Sequence, residues 1–338
     1  MTGEPLKVGV IGAGGIARSV HLPSLSELPE ANVVALCDVI ESRATQQAER
    51  FSVPRTYTLY REMFEQEDLD AVFALVEPSN MFHVATACLE AGLHTFAEKP
   101  PGITPYQARS LQRAAEAAGC ILQVGFNRRH IPVVRAVVQK MREITQVNQV
   151  IGRFMKSGTA AFDKGGISAF ESDTIHAVDL VRWMADSAPA SAATVCGQYD
   201  DVVINAWNSV VRFENGVTGL IQANYQTGGR THTFELHGAG ASAFINLGFG
   251  GSQCEATLLV QEGKTGYSLA ASGVSGANLE TIDGKALAES DSFHRYYGFY
   301  YEDLHFLECV RQGRTPETSI ADAVKTFEMM AMMEAGVI

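Results

Sequence analysis

A glycine-rich stretch near the N-terminus has the spacing of a pyrophosphate-binding loop. It reads Gly12-Ala13-Gly14-Gly15-Ile16-Ala17, which matches G-x-G-x-x-G/A, and it follows the short apolar run 6–11. In this pattern Gly12 permits a tight turn, Gly14 lets the backbone approach a pyrophosphate, and a small residue at position 17 lets the next helix lie close to the strand. Gly15 and Ile16 open that helix, whose free N–H groups attract phosphate. The loop therefore predicts dinucleotide binding.

An acid at the end of the second predicted strand bears on the cofactor preference. Asp38 follows the apolar run 32–37, about 20 residues beyond the loop, where a carboxylate bonds the hydroxyls of the adenosine ribose. Such a carboxylate repels a 2′-phosphate, so NAD is favoured over NADP. Arg43 is near in sequence and could counter this repulsion. The alternative is that Asp38 only caps the next helix.

Strands and helices alternate through the first half of the chain, which predicts a doubly wound parallel sheet of the α/β Rossmann type. The predicted strands are 6–11, 32–37, 71–76, 94–97 and 121–124; helical patterns at 81–91 and 104–118 end at Gly92 and Gly119. Ligands bind at the carboxyl ends of strands in such sheets. Polar or glycine-bearing residues follow all five strands: the glycine loop, Asp38, Pro78-Ser79-Asn80, Glu98-Lys99-Pro100 and Gly125-Phe126-Asn127-Arg128. We therefore expect an active site at this edge.

Composition and charge argue against several classes of protein. The 338 residues carry a formal net charge of −12, whereas a nucleic-acid binder needs a basic surface. The chain has no apolar run of the roughly 18 residues that span a bilayer and no signal-peptide pattern at its start. The spacing of the six cysteines fits no zinc template. We expect two domains, a cytoplasmic location, and neither a metal nor a nucleic-acid or membrane partner.

Further motifs accompany the loop in order along nearly the whole chain. They are Asp38, Pro78-Ser79-Asn80 with His83, Glu98-Lys99-Pro100, Val124-Gly125-Phe126-Asn127-Arg128-Arg129, and Asp173-Thr174-Ile175-His176-Ala177-Val178-Asp179. With these motifs the chain resembles the Gfo/Idh/MocA family of oxidoreductases. The resemblance implies an NAD(P)-binding Rossmann domain, 1–126, and a substrate-binding and oligomerisation α+β domain, 127–338, built on an open, mainly antiparallel sheet. It also implies a homodimer or homotetramer.

The second half of the chain independently indicates antiparallel strands. Alternating apolar runs at 206–213, 217–225 and 231–237 are separated by turn residues. Asn215-Gly216 between the first two is a hairpin signal. A final helix is predicted over about 319–334.

The resemblance assigns chemistry to a lysine and a histidine. Lys99 is implied to contact the reacting oxygen, where a cation stabilises the negative charge that develops during hydride transfer, and the Lys99–Pro100 bond is expected to be cis. His176 lies on a predicted helix, and an imidazole is suited to take the proton of the substrate hydroxyl. Taken alone, Lys99 would be a solvated lysine and His176 a core or surface histidine.

The acid beside the histidine departs from the family pattern. Family members usually carry an acid four residues before the histidine, and this chain has Ser172 there and Asp173 next to it. Both offsets place a side chain on the face of His176 if the segment is α-helical. Asp173 either takes over part of the catalytic role or caps the helix, and both interpretations stay open.

Other residues are candidates for binding the cofactor or the substrate. Glu98 is expected to bond the nicotinamide ribose, near the turn that contains Ser79, Asn80 and His83. Asn127 and Arg128 follow the last Rossmann strand and could face either the cofactor or the substrate. On strands of the second domain, Lys156 and Tyr225 either contact substrate hydroxyls or lie exposed.

The sequence thus predicts an NAD-dependent dehydrogenase acting on a CH–OH group, with a sugar, a cyclitol or a derivative as its small-molecule substrate. One alternative is a family enzyme that keeps NAD tightly bound through an internal redox cycle. Another is a dinucleotide-binding sensor without turnover. The presence of Lys99 and His176 favours catalysis, because a sensor needs neither.

Overall fold

The computed structural model of the chain describes residues 4–158, 167–261 and 277–338. Its strands are β1 (Leu6–Ile11), β2 (Ala31–Cys37), β3 (Arg55–Tyr57), β4 (Ala71–Ala74), β5 (His94–Glu98), β6 (Leu122–Gly125), β7 (Val147–Ser157), β8 (Pro189–Gly197), β9 (Ala206–Phe213), β10 (Thr218–Asn224), β11 (Gln226–Gly238), β12 (Ala241–Leu247), β13 (Cys254–Gln261) and β14 (Ala277–Asp283). Its α-helices are α1 (Leu22–Glu27), α2 (Glu41–Phe51), α3 (Tyr60–Gln66), α4 (Pro78–Glu90), α5 (Pro105–Ala118), α6 (Pro132–Ile144), α7 (Ile175–Ala185), α8 (Gly284–Ala288), α9 (Phe293–Tyr296), α10 (Phe299–Gln312) and α11 (Ile320–Ala335).

The first sheet has six parallel strands in the order β3-β2-β1-β4-β5-β6. The predicted doubly wound parallel sheet is therefore confirmed. The order reverses between β1 and β4, and the carboxyl ends of these two strands flank the crevice in which such sheets bind ligands. The glycine loop follows β1 at this switch point, so the topology places it where a dinucleotide is bound.

Aromatic residues fill the core beneath this sheet. Phe73 of β4 and Phe96 of β5 stack with their ring centroids 4.8 Å apart, and Phe306 of α10 meets Phe73 edge-on at 5.4 Å. All three side chains are fully buried, together with Val8 and Val10 of β1. Burial of this apolar surface is the main favourable term that holds the strand ends in register.

The helix after β4 begins earlier than the sequence indicates. The Pro78-Ser79-Asn80 segment, expected as a turn before a helix at 81–91, is itself the first turn of α4. Proline is tolerated there because the first N–H groups of a helix have no partner within it. Ser79 and Asn80 therefore extend from a helix N-terminus, and both are exposed.

The second sheet has eight strands in the order β14-β13-β12-β11-β7-β10-β9-β8. Only β7 and β10 are parallel neighbours, so the predicted mainly antiparallel sheet is confirmed. The expected hairpin at Asn215-Gly216 joins β9 to β10, and Gly216 takes the left-handed φ of +88° that this turn requires. Burial alternates along β9 and β12, which shows that one face of the sheet is packed and the other is open.

The described residues form two compact units. One unit lies within Met1–His130, Phe162–Ile175 and Ser292–Glu328, and the other within Ile131–Ala161, His176–Asp291 and Met329–Ile338. The sheets belong to different units, and α9 and α10 pack in the first, although the boundary at 126/127 would place them in the second domain. Among the residues described, no helix has the length and apolar character needed to cross a bilayer.

Candidate active site

The glycine loop combines a tight turn with a stretch of backbone that faces open space. Gly12 has φ +98°, and a Cβ at this position would lie 2.3 Å from the carbonyl oxygen of Leu75. A Cβ at Gly14 would meet nothing within 4 Å, so this backbone faces open space. The N–H of Arg18 donates to the carbonyl of Gly14 (3.1 Å), which starts the helix at the loop. The loop thus has the close turn and the open approach that a pyrophosphate needs.

Asp38 borders a cavity of about 360 Å³ at the switch point. Its Oδ2 accepts from the N–H of Ala13 (2.9 Å) and its Oδ1 from the N–H of Ile40 (2.8 Å). The N-cap residue of α2 is Ile40, whose own side chain makes no capping hydrogen bond, so Asp38 does not act as the N-cap of that helix. The lining of the cavity includes Gly12, Gly14, Asp38, Arg43, Asn80 and His83. These candidates for adenosine and ribose binding are therefore brought together.

A second cavity of about 290 Å³ lies beside the loop. Two arginines, Arg18 and Arg43, line it with Gly14 and Gly15, and both arginines are exposed. Arg43 and Gly14 also line the first cavity. Glu77 is the third charged residue in the lining, so the net charge at the phosphate side of the site is positive, which favours anions.

Lys99 projects from the carboxyl end of β5 and is held by a backbone carbonyl. Its Nζ donates to the carbonyl oxygen of Ser172 (2.8 Å), and the Lys99–Pro100 bond is cis, as the resemblance predicts. The strand end that carries Lys99 lies on the same edge of the parallel sheet as the glycine loop. Ser172 occupies the position at which the family usually has an acid, but the lysine meets the backbone carbonyl of this residue, which any residue type would provide.

The segment before α7 is not a regular α-helix. Phe170–Thr174 forms a π-helical turn, in which the N–H of Ile175 donates to the carbonyl of Phe170. The α-helical spacing used to place Ser172 and Asp173 on the face of His176 is therefore interrupted. Such turns are frequent at functional sites.

The side chains of this segment have distinct environments. The hydroxyl of Ser172 donates to the carbonyl of Ser168 (2.8 Å), so this side chain is engaged locally. Asp173 is buried, and His176 is buried in the first turn of α7, in the second unit.

Glu98 makes two contacts within the first unit. Its Oε2 accepts from the N–H of Lys99 (3.0 Å), and its Oε1 lies 3.1 Å from Nε2 of His21. A Cβ at Gly125 would lie 3.1 Å from Oε1 of Glu98, so glycine leaves room for this carboxylate. Sequence reasoning missed His21 because its partners are remote in the chain: Glu98 is 77 residues away and Asp303 is 282.

The residues after β6 point into the protein interior. Asn127 and Arg128 belong to a short 3₁₀ turn and are 2% and 3% exposed. The side-chain amide of Asn127 donates to the carbonyl of Tyr297 (2.9 Å). This bond explains the burial of Asn127 without a ligand, and its predicted substrate contact stays a prediction.

The two candidates in the second sheet are buried. Lys156 of β7 is 8% exposed, and its Nζ lies 5.0 Å from the centroid of the Phe154 ring. Tyr225 is fully buried and meets Trp207 edge-on. The alternative that these residues are exposed on the surface is therefore wrong, whereas contact with substrate hydroxyls remains a prediction.

Comparison with known proteins agrees with this architecture. The model described as "Oxidoreductase family, NAD-binding Rossmann fold" matches 6–126, and the GFO/IDH/MocA C-terminal domain matches 142–244. The chain is 25% identical over 350 residues to the D-apiose dehydrogenase of Paraburkholderia graminis, covering 99% of this chain and 87% of that protein. It is 27% identical over 238 residues to the myo-inositol 2-dehydrogenase of Thermotoga maritima, covering 64% and 67%. A crystal structure of a dehydrogenase from Chromobacterium violaceum superposes with a TM-score of 0.86 at 21% identity, covering 99% and 96%.

A parallel sheet with a glycine loop at its switch point and a lysine at a neighbouring strand end defines a dinucleotide-dependent oxidoreductase. The chain belongs to the Gfo/Idh/MocA family, because the two domain models together match most of it. The predicted enzyme class, an NAD(P)-dependent dehydrogenase acting on CH–OH groups, is confirmed by this membership and by the dehydrogenase relatives.

Proposed function

We propose that the chain catalyses reversible hydride transfer between NAD and a secondary alcohol of a sugar, a cyclitol or a related compound. The observation that carries this proposal is the ammonium of Lys99, fixed 2.8 Å from the carbonyl of Ser172 on the sheet edge that bears the glycine loop. The substrate class follows the names of the relatives, which act on D-apiose and myo-inositol.

The described residues fit a dinucleotide. The bare turn at Gly12 and the open space at Gly14 suit a pyrophosphate, and the 360 Å³ cavity beside Asp38 suits the adenosine half. In this proposal Ser79, Asn80 and His83 add contacts at the start of α4, and Gly15, Ile16, Glu98 and Arg128 complete the cofactor set. When bound, NAD supplies the hydride acceptor.

The proposed mechanism uses charge and proton transfer by side chains of this chain. Lys99 stabilises the negative charge that develops on the substrate oxygen. His176 accepts the hydroxyl proton as general base, and Asp173 is assigned as the acid group that supports it. Asn127 and Lys156 are assigned to substrate hydroxyls. We also assign residues 1–126 to binding the cofactor, and residues 127–338 to binding the substrate and to oligomerisation.

A steady-state assay tests this function. Purified protein is incubated with NAD and a panel of aldoses, cyclitols and their acids. Formation of NADH is followed by its absorbance, at an assay wavelength of 340 nm. Lys99→Met is the control for background. Turnover that depends on Lys99 supports the proposal. Tight NAD binding without turnover would favour the sensor, whereas NAD that co-purifies and is reduced without being released would favour the internal redox cycle. The cytoplasmic location stays a prediction.

Asp38 is expected to govern the preference for NAD over NADP. We expect Asp38→Asn to raise the ratio of kcat/KM for NADP over NAD by about tenfold, because the substitution removes the charge that repels a 2′-phosphate and keeps an oxygen for one of the two backbone N–H groups. The matched variant Arg43→Gln should shift the ratio the other way, since Arg43 lines both cavities. Steady-state kinetics with both cofactors measures the ratio. An unchanged ratio in Asp38→Asn would remove Asp38 from cofactor discrimination.

The open face of the second sheet supports the proposed homodimer or homotetramer. Strand register places Val210 opposite Leu220, Leu220 opposite Ile151, and Glu235 of the neighbouring strand opposite both Ile151 and Phe244. Residues directly opposite one another share a face, so this face carries apolar side chains from four strands, with Glu235 between Ile151 and Phe244. Val210 is 50% exposed and Phe244 is 43% exposed. Such a face marks an interaction surface.

Charge placed on this face should weaken the oligomer. We expect Phe244→Glu to lower the mass measured by light scattering to that of a smaller species, because a buried unpaired carboxylate is costly at an interface. Leu287→Glu, at a similarly exposed apolar residue of α8 (44% exposed), is the matched control and should not change the mass. A wild-type monomer, or equal effects of both variants, would contradict this assembly.

A further inference from the structure

The imidazole of His21 lies between two carboxylates in the interior of the first unit. Its Nδ1 is 2.9 Å from Oδ1 of Asp303, and its Nε2 is 3.1 Å from Oε1 of Glu98. His21 and Asp303 are fully buried, and Glu98 is 8% exposed. We call Asp303, His21 and Glu98 the histidine clamp. His21 ends a π-helical turn, Ala17–His21, that continues the helix of the glycine loop.

The geometry requires a charged ring. An ionised carboxylate only accepts hydrogen bonds, so both ring nitrogens must carry hydrogen. Burial by itself lowers the pKa of His21, but the charges and hydrogen bonds of Asp303 and Glu98 outweigh it and raise the pKa to about 10. Burial raises the pKa of Asp303 to about 6, against the opposing charge of His21. The mutual attraction of the two groups therefore favours the pair of an imidazolium and a carboxylate.

Three elements pack aromatic rings against the imidazole of His21. Phe96 of β5, Phe73 of β4 and Phe299 of α10 surround the ring of His21 with their own rings, at centroid distances of 5.2, 6.0 and 5.6 Å. The charges that act on His21 are those of Asp303 and Glu98, and Asp303 also senses His294. An imidazolium in this apolar shell is stable only while its carboxylates remain ionised.

The clamp reaches Lys99 through Glu98. One oxygen of the Glu98 carboxylate is held by His21, and the other accepts the backbone N–H of Lys99 (3.0 Å). The next two residues, Pro100 and Pro101, have no N–H to donate, so this bond fixes the chain at the point where Lys99 leaves β5. The Nζ of the same lysine donates to Ser172.

We propose that His21 and Asp303 are positioning residues that hold Glu98 against the Lys99 amide and so fix the direction of the Lys99 ammonium. The effect on turnover rests on the proposed function, whereas the effect on the Lys99 backbone does not. A small displacement of a catalytic group lowers rate more than binding. The clamp should therefore lower kcat by a larger factor than it weakens NAD binding, in which Glu98 is assigned one contact.

Two clamp variants and one control test this inference. Asp303→Asn keeps an oxygen for Nδ1 and removes the charge, and His21→Gln is a second variant that replaces the ring. Asp322→Asn is the control, since Asp322 binds the buried Arg129 (2.7 Å) in the same unit without contacting the clamp. We expect all three to lower Tm, but only the clamp variants to lower kcat, by about tenfold or more and by a larger factor than they raise the Kd for NAD.

A double-mutant cycle separates positioning from general damage. If the clamp acts through Lys99, Asp303→Asn should lower kcat in the wild-type background and have no further effect on the residual rate of Lys99→Met, measured in long incubations. Equal factors in both backgrounds would overturn the proposal, because they would show an effect independent of the lysine.

The pH dependence of kcat gives a readout that loss of packing would not move. Removing the Asp303 charge lowers the pKa of His21, since a nearby anion favours the imidazolium. The ring in Asp303→Asn should then become neutral at a lower pH than in wild type, which weakens its charge-assisted bond to Glu98, and kcat should fall with rising pH over a range in which wild type is constant. An unchanged alkaline profile in Asp303→Asn would contradict the clamp.

Hydrogen exchange decides the inference even if no substrate is turned over. In a peptide covering 94–102, the first two residues retain no label and Pro100 and Pro101 contribute no amide, so beyond the amides of β5 the signal reports on Lys99 and Gly102. We expect exchange of this peptide to be about tenfold faster in Asp303→Asn and His21→Gln than in Asp322→Asn, because the Lys99 N–H loses its fixed acceptor. Exchange equal to that of the control would refute the clamp, whereas absence of turnover in wild type would refute only the proposed function.

Discussion

Replacing Lys99 with methionine is expected to lower kcat by about 10²–10³-fold, the usual loss when one group that stabilises a developing oxyanion is removed. Methionine keeps much of the apolar stem and removes the ammonium that meets Ser172 O at 2.8 Å. The cofactor cavity is lined by other residues, so the Kd for NAD should change by less than about twofold. Stopped-flow or steady-state NADH formation measures the first quantity and fluorescence titration the second.

A matched lysine in the same unit controls for the loss of positive charge. Lys7 is half exposed and pairs with Asp68 (2.6 Å) on the surface, and surface ion pairs contribute little to stability. Lys7→Met should therefore retain wild-type kcat. Lys99→Arg should recover only part of the rate, since the planar guanidinium keeps the charge but not the geometry. If Lys99→Met turned over at the wild-type rate, the proposed role of the lysine would be wrong.

Replacing His176 with asparagine is expected to lower kcat/KM by about 10²–10⁴-fold, the range for loss of a general base. A base must be unprotonated to accept the hydroxyl proton, so wild-type oxidation should decline toward acidic pH as the imidazole becomes protonated. This decline should be absent from the residual activity of His176→Asn. The pH profile of kcat/KM from pH 5 to 9, a span chosen for the assay, measures both effects.

Two variants assign the acidic decline to the correct group. Asp303, with a pKa raised to about 6 by burial, titrates in a similar range, so the decline belongs to His176 only if Asp303→Asn retains it. His94→Asn is the matched histidine control: His94 begins β5, at the opposite end of the strand from Lys99, and its Nδ1 accepts the N–H of Ile121 (3.0 Å). His94→Asn should leave the profile unchanged. An acidic decline that persists in His176→Asn would remove this histidine from proton transfer.

Local sequence patterns were sufficient to predict much of the secondary structure of the first domain. The β-branched run of β1 was predicted with its bounds, 6–11, because a continuous apolar run before a glycine motif has few other interpretations. Residues 55–57 were not predicted as a strand, because β3 is only three residues long and its pairing with β2 comes from the neighbouring strand. The early start of α4 was also missed, since proline in a first helical turn resembles proline in a loop.

The order of catalytic motifs was readable from the sequence, whereas their spacing in three dimensions was not. Ser172 and Asp173 were placed by α-helical periodicity, and the π-helical turn at Phe170–Thr174 breaks that periodicity. A single extra residue in a turn leaves no recognisable pattern of apolar residues, so composition and period cannot reveal it. The sequence likewise did not decide whether Lys156 is buried. Successive side chains of its strand point to opposite faces of the sheet, and the sequence does not show which face is packed.

Residue types and local spacing by themselves determined the alternation of strands and helices, the glycine loop and the lysine at a strand end, because each of these patterns involves only residues close together in the chain. Only the tertiary structure decided that the imidazole of His21 is held between carboxylates 77 and 282 residues away, and that one of these carboxylates bonds the amide of Lys99. Contacts between such distant residues arise from strand order and helix packing, which a single sequence does not encode as a local pattern.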